Sequence, residues 1–215
     1  MRIVQTSTVA ALFAFAGMTA LAQQAQTPAQ PPRTQTSQQP QTPPQGPGPG
    51  TRGRMMTPPV ANATATIAGP GVTGKATFSE HHMGDNAVVT IEVTVEGLKP
   101  GKHGVHLHAV GKCEPDFAAA GGHFDPGPAG NMDPDANHPF HMGDIPNLTV
   151  GEDGKGMLRA MTTRVTLTDG PLSLFDADGS AIIIHGNPDQ LITGEPKSGV
   201  SGGPRVACGV ITKKP

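Results

Sequence analysis

From residue 60 to the C-terminus, short runs in which apolar and polar residues alternate, or β-branched residues cluster, recur at close intervals. They are Ala63–Ala68, Gly74–Ser79, Ala87–Glu96, Gly104–Val110, Leu148–Val150, Met157–Leu167, Ala181–His185 and Val206–Ile211, bounded by Gly, Pro, Asn and Asp. A period of two puts alternate side chains on opposite faces of a strand, and no segment carries a sustained 3.6-residue apolar period with helix caps. Glu152-Asp153-Gly154, between two of these runs, predicts a hairpin turn. The pattern therefore predicts an all-β domain, an antiparallel sandwich or flattened barrel of about eight strands. Two connections stand apart: Lys112–Asp144 and Gly186–Pro204 are long and rich in Gly, Pro and Asp. Loops of that length in a compact domain usually carry function.

The first 59 residues follow a different pattern. Residues 1–22 have the form of a secretory signal peptide, with Arg2 as the positive region, Val9–Ala16 as the apolar core and Ala20-Leu21-Ala22 as the small-x-small cleavage pattern. The apolar run is short and rich in Ala and Gly, a poor membrane anchor, so no membrane insertion of the mature domain is expected. Residues 23–59, built from Gln, Pro, Thr and Gly, offer almost nothing apolar to offset their ordering entropy and are expected to form a disordered linker. The chain is expected to be exported, to the periplasm or beyond the cell. Residues 60–215 remain as one domain large enough for a core.

Composition narrows the chemistry. From residue 60 onward there are 11 Lys and Arg against all 17 Asp and Glu, so the domain carries a net charge of −6. That balance argues against nucleic-acid binding and requires a local positive feature for any anionic substrate. The chain holds two cysteines, Cys113 and Cys208. In an exported protein they are expected to form one intramolecular disulfide, two free buried thiols being the alternative. A disulfide there would close a loop of about 95 residues and stabilise the fold by about 4–5 kcal/mol. The chain has no Trp and no Tyr, which excludes tyrosyl-radical chemistry and leaves Phe, Met and aliphatic residues to fill the core.

Of nine histidines, seven fall between residues 103 and 185. His106 and His108, at i and i+2 of a predicted strand, share one face and suit two ligands of one metal ion. His123 follows Gly121-Gly122, His141 and Asp144 are separated by two residues, and His185 ends the apolar run Ile182–Ile184. Neutral imidazole suits copper and zinc alike, and an added carboxylate is a common zinc ligand.

These segments resemble the copper/zinc superoxide dismutase family in order and approximate spacing. The runs that carry the resemblance are Gly104-Val105-His106-Leu107-His108, Gly121-Gly122-His123-Phe124-Asp125-Pro126, His141-Met142-Gly143-Asp144, His185 with Asp189, and Arg205-Val206-Ala207-Cys208-Gly209-Val210. The resemblance covers nearly all of residues 60–213 and implies a Greek-key, immunoglobulin-like arrangement of the strands. It also implies copper on His106, His108, His123 and His185, with His123 bridging to zinc on His141 and Asp144. Asp189 would fix ligand imidazoles on both metals, Cys113 would pair with Cys208, and Arg205 would stand beside the copper mouth.

The pattern is broken at one ligand. The family's remaining zinc histidine falls where this chain has Asn131, and His138, three residues before His141, is the available substitute; an incomplete zinc site is the alternative. The activity implied is dismutation of the superoxide anion to O2 and H2O2 by Cu(II)/Cu(I) cycling, with His123 and Arg205 in catalytic roles and a homodimer possible. The rivals are a non-catalytic copper-binding protein on the same fold and a copper-only dismutase with a decayed zinc site. Retention of Arg205 speaks against storage, and retention of His141, Asp144 and Asp189 against a copper-only site. Lys197 could add to the steering field, His103 is expected to make a structural hydrogen bond, and His81-His82-Met83 is expected as a turn between strands. Met55-Met56 is a weak candidate for holding copper.

Overall fold

The computed structural model describes residues 57–127, 130–136 and 140–215. The expected signal peptide, most of the linker with Met55-Met56, and His138 lie outside the described residues.

The strands are β1 (Ala61–Gly69), β2 (Val72–Met83), β3 (Asn86–Glu96), β4 (Gly101–His108), β5 (Asp144–Val150), β6 (Lys155–Thr162), β7 (Ala181–His185), β8 (Arg205–Val210) and the short β9 (Thr212–Lys213). Neighbours run β2-β3-β6-β5-β4-β7-β8-β1, and β1 pairs again with β2, so eight antiparallel strands close into a barrel, with β9 added beside β1. The connections β3–β4 and β6–β7 each pass over two strands, which makes this a Greek-key barrel and agrees with the expected fold class. Its interior is filled by the alternate side chains that the period-two pattern marks, among them Ile67, Phe78, Ile91, Val93, Leu148 and Ile182.

β4 and β7 differ from the others because both of their faces are covered. Val105 and Leu107 of β4 and Ile182 and Ile184 of β7 point into the barrel. His106 and His108 alternate to the outside yet are fully buried, because the two long loops fold back over that face. Beside them Ala181, Ile183 and Cys208 form a second apolar cluster with Ala120, packed by Cys113 and Phe117. Burying a side chain such as Ile183 is worth roughly 1.5–3 kcal/mol, so this cluster helps to hold the first loop on the barrel wall. The Cys113–Cys208 disulfide secures the same loop, which also contains the 3-10 turn Phe117–Ala120.

Two expectations need correction. His81-His82-Met83 is the end of β2, the turn being the Gly84-Asp85 pair that follows, because β2 and β3 stay in register out to Met83 and Asn86. The run expected to continue as strand to Leu167 leaves the sheet after Thr162. Residues 163–180 form a third irregular connection whose Val165, Leu167 and Leu174 are buried. Apolarity there reflects a plug over the barrel end. The buried Glu80 carboxylate fastens that plug by accepting from the Leu167 and Thr168 amides and the Thr168 hydroxyl. Burial alone would raise the Glu80 pKa, but these donors outweigh it and hold the carboxyl below its ordinary value.

Candidate metal centre

Four imidazoles from three parts of the chain meet on the covered face. His106 and His108 come from β4, His185 ends β7, and His123 is brought in where its segment bridges to His108. One nitrogen from each lies within 4.8 Å of the others. The converging nitrogens are buried and have no hydrogen-bond partner: His106 Nδ1 and the Nε2 atoms of His108, His123 and His185. Four unsatisfied buried acceptors would be costly without a ligand to take their lone pairs.

The opposite nitrogens explain why the lone pairs face inward. His108 Nδ1 donates to the Gly121 carbonyl at 3.0 Å and His185 Nδ1 to the Gly203 carbonyl at 3.1 Å. A carbonyl can only accept, so each ring keeps its proton on Nδ1 and presents Nε2 bare. His106 is turned the other way, with Nε2 donating to Asp189 Oδ2 at 2.9 Å. Burial, the neighbouring imidazoles and Arg205 press the His108 and His185 pKa values far down, and burial with the charge of His106 lowers His123 to about 4. His108, His123 and His185 are therefore biased toward the neutral state that a metal needs.

A second cluster shares His123. Its Nδ1 lies 2.8 Å from Asp144 Oδ1 and 3.1 Å from His141 Nδ1. Asp144 opens β5, and its other carboxylate oxygen accepts the His141 amide at 2.8 Å, which ties the two residues into one turn. Gly143 sits in that turn where a Cβ would fall 2.4 Å from the Leu107 carbonyl, so only glycine allows the turn to lie against β4. Burial works against protonation of His141, but its hydrogen bond to Asp144 and that residue's charge outweigh this and raise its pKa. The Asp144 carboxyl, despite burial, is driven well below its usual range by His123 and His141.

Asn131 takes no part in either cluster. Its amide donates to Asp125, its side-chain oxygen accepts the Asp133 amide, and it serves as a loop turn. Asp189 holds His106 with one oxygen while the other accepts the Leu191 amide, so among the described residues it reaches only one side of the expected pair. His103 is buried between the His185 and Lys99 carbonyls.

Arg205 opens β8 opposite His185 in the strand register. Its Nη1 donates to the Phe117 carbonyl at 2.7 Å and its Nη2 to the Gly121 carbonyl at 2.6 Å. Arg205, His185 and the exposed Lys197 line one cleft of about 410 Å³. Buried Asp135, in the first loop, accepts the Gly199 and Ser201 amides of the second and latches the two loops together at this cleft. Gly202, at φ +101°, packs where a Cβ would meet His185 Cβ at 2.7 Å. Sequence reading missed Asp135, Asn147 and Arg164. The Asn147 side-chain amide donates to the Asp189 carbonyl and accepts the Asp189 amide, and nothing in the local pattern announces that long-range partner.

A closed Greek-key barrel carrying two adjoining buried donor sets that share one imidazole defines a dinuclear metalloprotein. The family model for copper/zinc superoxide dismutase matches residues 72–211. A protein named Superoxide dismutase [Cu-Zn] from Deinococcus radiodurans is 44% identical over 151 residues, covering 65% of this chain and 77% of that one. Another of that name from Caulobacter vibrioides is 39% identical over 158 residues, covering 70% and 85%. Among solved structures, the crystal structure of the clock protein EA4 superposes with a TM-score of 0.57 at 26% identity, covering 73% of this chain and 96% of that one. The chain belongs to the copper/zinc superoxide dismutase family, whose metals are copper and zinc, and the all-imidazole and imidazole-carboxylate sets fit them respectively.

Proposed function

We propose that the chain dismutates superoxide to O2 and H2O2, with His106, His108, His123 and His185 holding copper and His123, His138, His141 and Asp144 holding zinc. The observation that carries this reading is the set of four buried, partnerless imidazole nitrogens beside an anchored arginine. When bound, copper supplies the chemistry by alternating between Cu(II) and Cu(I), so that one superoxide is oxidised and the next reduced without two anions having to meet. The protein residues supply position, charge and protons. His123 Nδ1 is held beside Asp144, so the ring keeps its place while Nε2 takes up a proton and passes it to the reduced product. Arg205 spends two donors on backbone carbonyls, which fixes its guanidinium at the cleft and leaves its remaining N–H groups and its charge for the anion.

The domain as a whole repels an anion, so this local charge matters. Lys197, on the rim of the cleft, adds to the steering field. Residues 1–22 act as an export signal that is removed, and residues 23–59 remain as the N-terminal segment of the exported protein. Exported protein should begin at Gln23 when its N-terminus is sequenced.

Metal analysis of the loaded full chain alongside a superoxide-consumption assay tests the function. Copper and zinc are expected in equal amounts, with dismutation; copper uptake without dismutation would sink the enzyme reading. In His138→Ala zinc occupancy should drop while copper is kept, and unchanged zinc would remove His138 from the site.

A further inference from the structure

Arg164 follows β6, on the connection that plugs the barrel end, and its three outward contacts all fall on one short segment. Its guanidinium carbon lies 4.3 Å from the centroid of the Phe140 ring. Nε donates to the Met142 carbonyl at 3.4 Å, and Nη2 donates to the Asp144 carbonyl. Phe140, Met142 and Asp144 bracket His141, so one side chain grips the whole turn that presents His141 and the Asp144 carboxylate. The arginine itself is braced by its own amide, which donates to Thr162 Oγ1 at 3.1 Å.

The turn has two faces. On the inner side it is tied to the barrel wall by Gly143 donating to the Phe124 carbonyl and accepting from the Leu107 amide. Two charged side chains reach the turn from outside it: the Asp125 carboxylate accepts the Met142 amide at 3.2 Å, and Arg164 takes the Met142 and Asp144 carbonyls and the Phe140 ring. Phe140 is half exposed, and the three residues before it lie outside the described segment. Arg164 is the one of these supports that reaches both ends of the turn, from the Phe140 ring to the Asp144 carbonyl, with His141 between them. A planar guanidinium can stack on a ring and donate along two edges at once, which a lysine ammonium cannot do.

We propose that Arg164 is a positioning residue for the zinc half of the centre, holding the Phe140–Asp144 turn in its ligating geometry so that zinc is captured and retained. This rests on the zinc assignment given above. Residues that orient metal ligands typically change affinity by about 10–100-fold when removed, and an effect of that size is expected here on zinc alone.

The test is zinc affinity by chelator competition on the full chain, with copper affinity and the melting temperature of the metal-free protein measured on the same samples. Arg164→Ala should weaken zinc by about 10–100-fold and leave copper within about threefold. Arg164→Lys should recover little of the loss. Phe140→Leu, which removes the ring and leaves both carbonyl contacts, should cost less than Arg164→Ala. In cobalt-substituted protein, the visible bands of a tetrahedral zinc-site ion should weaken and shift in Arg164→Ala. Wild-type zinc affinity in Arg164→Ala, or zinc and copper falling together with the metal-free melting temperature, would overturn the proposal. A wild-type chain that takes up copper but no zinc would remove the zinc assignment, and this proposal with it.

Discussion

The two halves of the centre share His123 and are both buried, yet they are built on different foundations. The copper-side rings stand on strands β4 and β7, and each has its second nitrogen tied to a fixed acceptor: Asp189, the Gly121 carbonyl or the Gly203 carbonyl. The zinc-side groups stand on a turn inside a long loop and are tied mainly to each other. Burial disfavours charge in both halves. On the copper side neighbouring imidazoles and Arg205 reinforce it and press His108 and His185 down; on the zinc side Asp144 overrides it and His141 is raised. A neutral set accommodates an ion that changes charge, whereas a set containing a carboxylate suits a permanently divalent ion. The centre thus pairs an all-imidazole pocket anchored on strands with a carboxylate-bearing turn held by contacts that reach it from outside.

Acid should separate the halves most strongly. In metal-free protein His123 titrates at about 4 rather than 6.5, so between those values the unfolded chain binds a proton that the folded chain refuses. Stability is then fully present above about pH 6.5 and is lost as pH falls toward 4. His123 alone accounts for on the order of 3 kcal/mol, with His108 and His185 acting in the same direction. His141 works in reverse: its raised pKa contributes stability below its unfolded value that is lost as pH rises through the folded one. Thermal melts of the metal-free chain should fall between pH 7 and 4.5. A melting temperature that holds or rises over this range would show that the neutral copper-side rings do not dominate.

A smaller effect is expected from loosening one copper-side ring. Asp189→Ala removes the acceptor that keeps the His106 proton on Nε2 and its lone pair on Nδ1, and should lower copper affinity about 10–100-fold. Asp189→Asn keeps an acceptor oxygen and should recover most of that loss. Competition titrations with a copper chelator measure both. Equal losses in the two variants would mean that an acceptor oxygen at this position does not by itself orient His106, since the bonds to Asn147 use the Asp189 main chain and survive in both.

How much of this could be read from sequence follows the same division. The strand-borne part was legible, because period-two alternation locates His106 and His108 on one face and ends β7 at His185. An antiparallel all-β domain of about eight strands also followed from the short alternating runs, its Greek-key order coming only through the family resemblance, while residues 163–167 of the barrel plug were mistaken for strand because buried apolar residues look alike in either setting. The loop-borne part was legible only through motif spacing, and there the chain departs from its family at Asn131. What supports the loops was invisible: Asp135, Asn147 and Arg164 act through partners 20 to 66 residues away, and no local pattern encodes such pairing.

The smallest effect, and the one that reads the copper side from outside, concerns Arg205. Its guanidinium is already committed to the Phe117 and Gly121 carbonyls, so its removal deletes charge at the cleft and also releases the carbonyl that orients His108. Charge and positioning make different predictions. Local steering on a domain of net negative charge should make the Arg205→Ala rate about tenfold lower at low salt, with a shallower dependence on ionic strength, since screening acts over about 10 Å at 0.1 M. Arg205→Lys keeps the charge but cannot span both carbonyls, so it should preserve the salt dependence while losing part of the rate. If the two variants lose rate equally and both retain the wild-type salt slope, Arg205 serves the copper half by bracing the Phe117–Gly121 segment. The steering field would then have to come from elsewhere on the rim, with Lys197 the first residue to test.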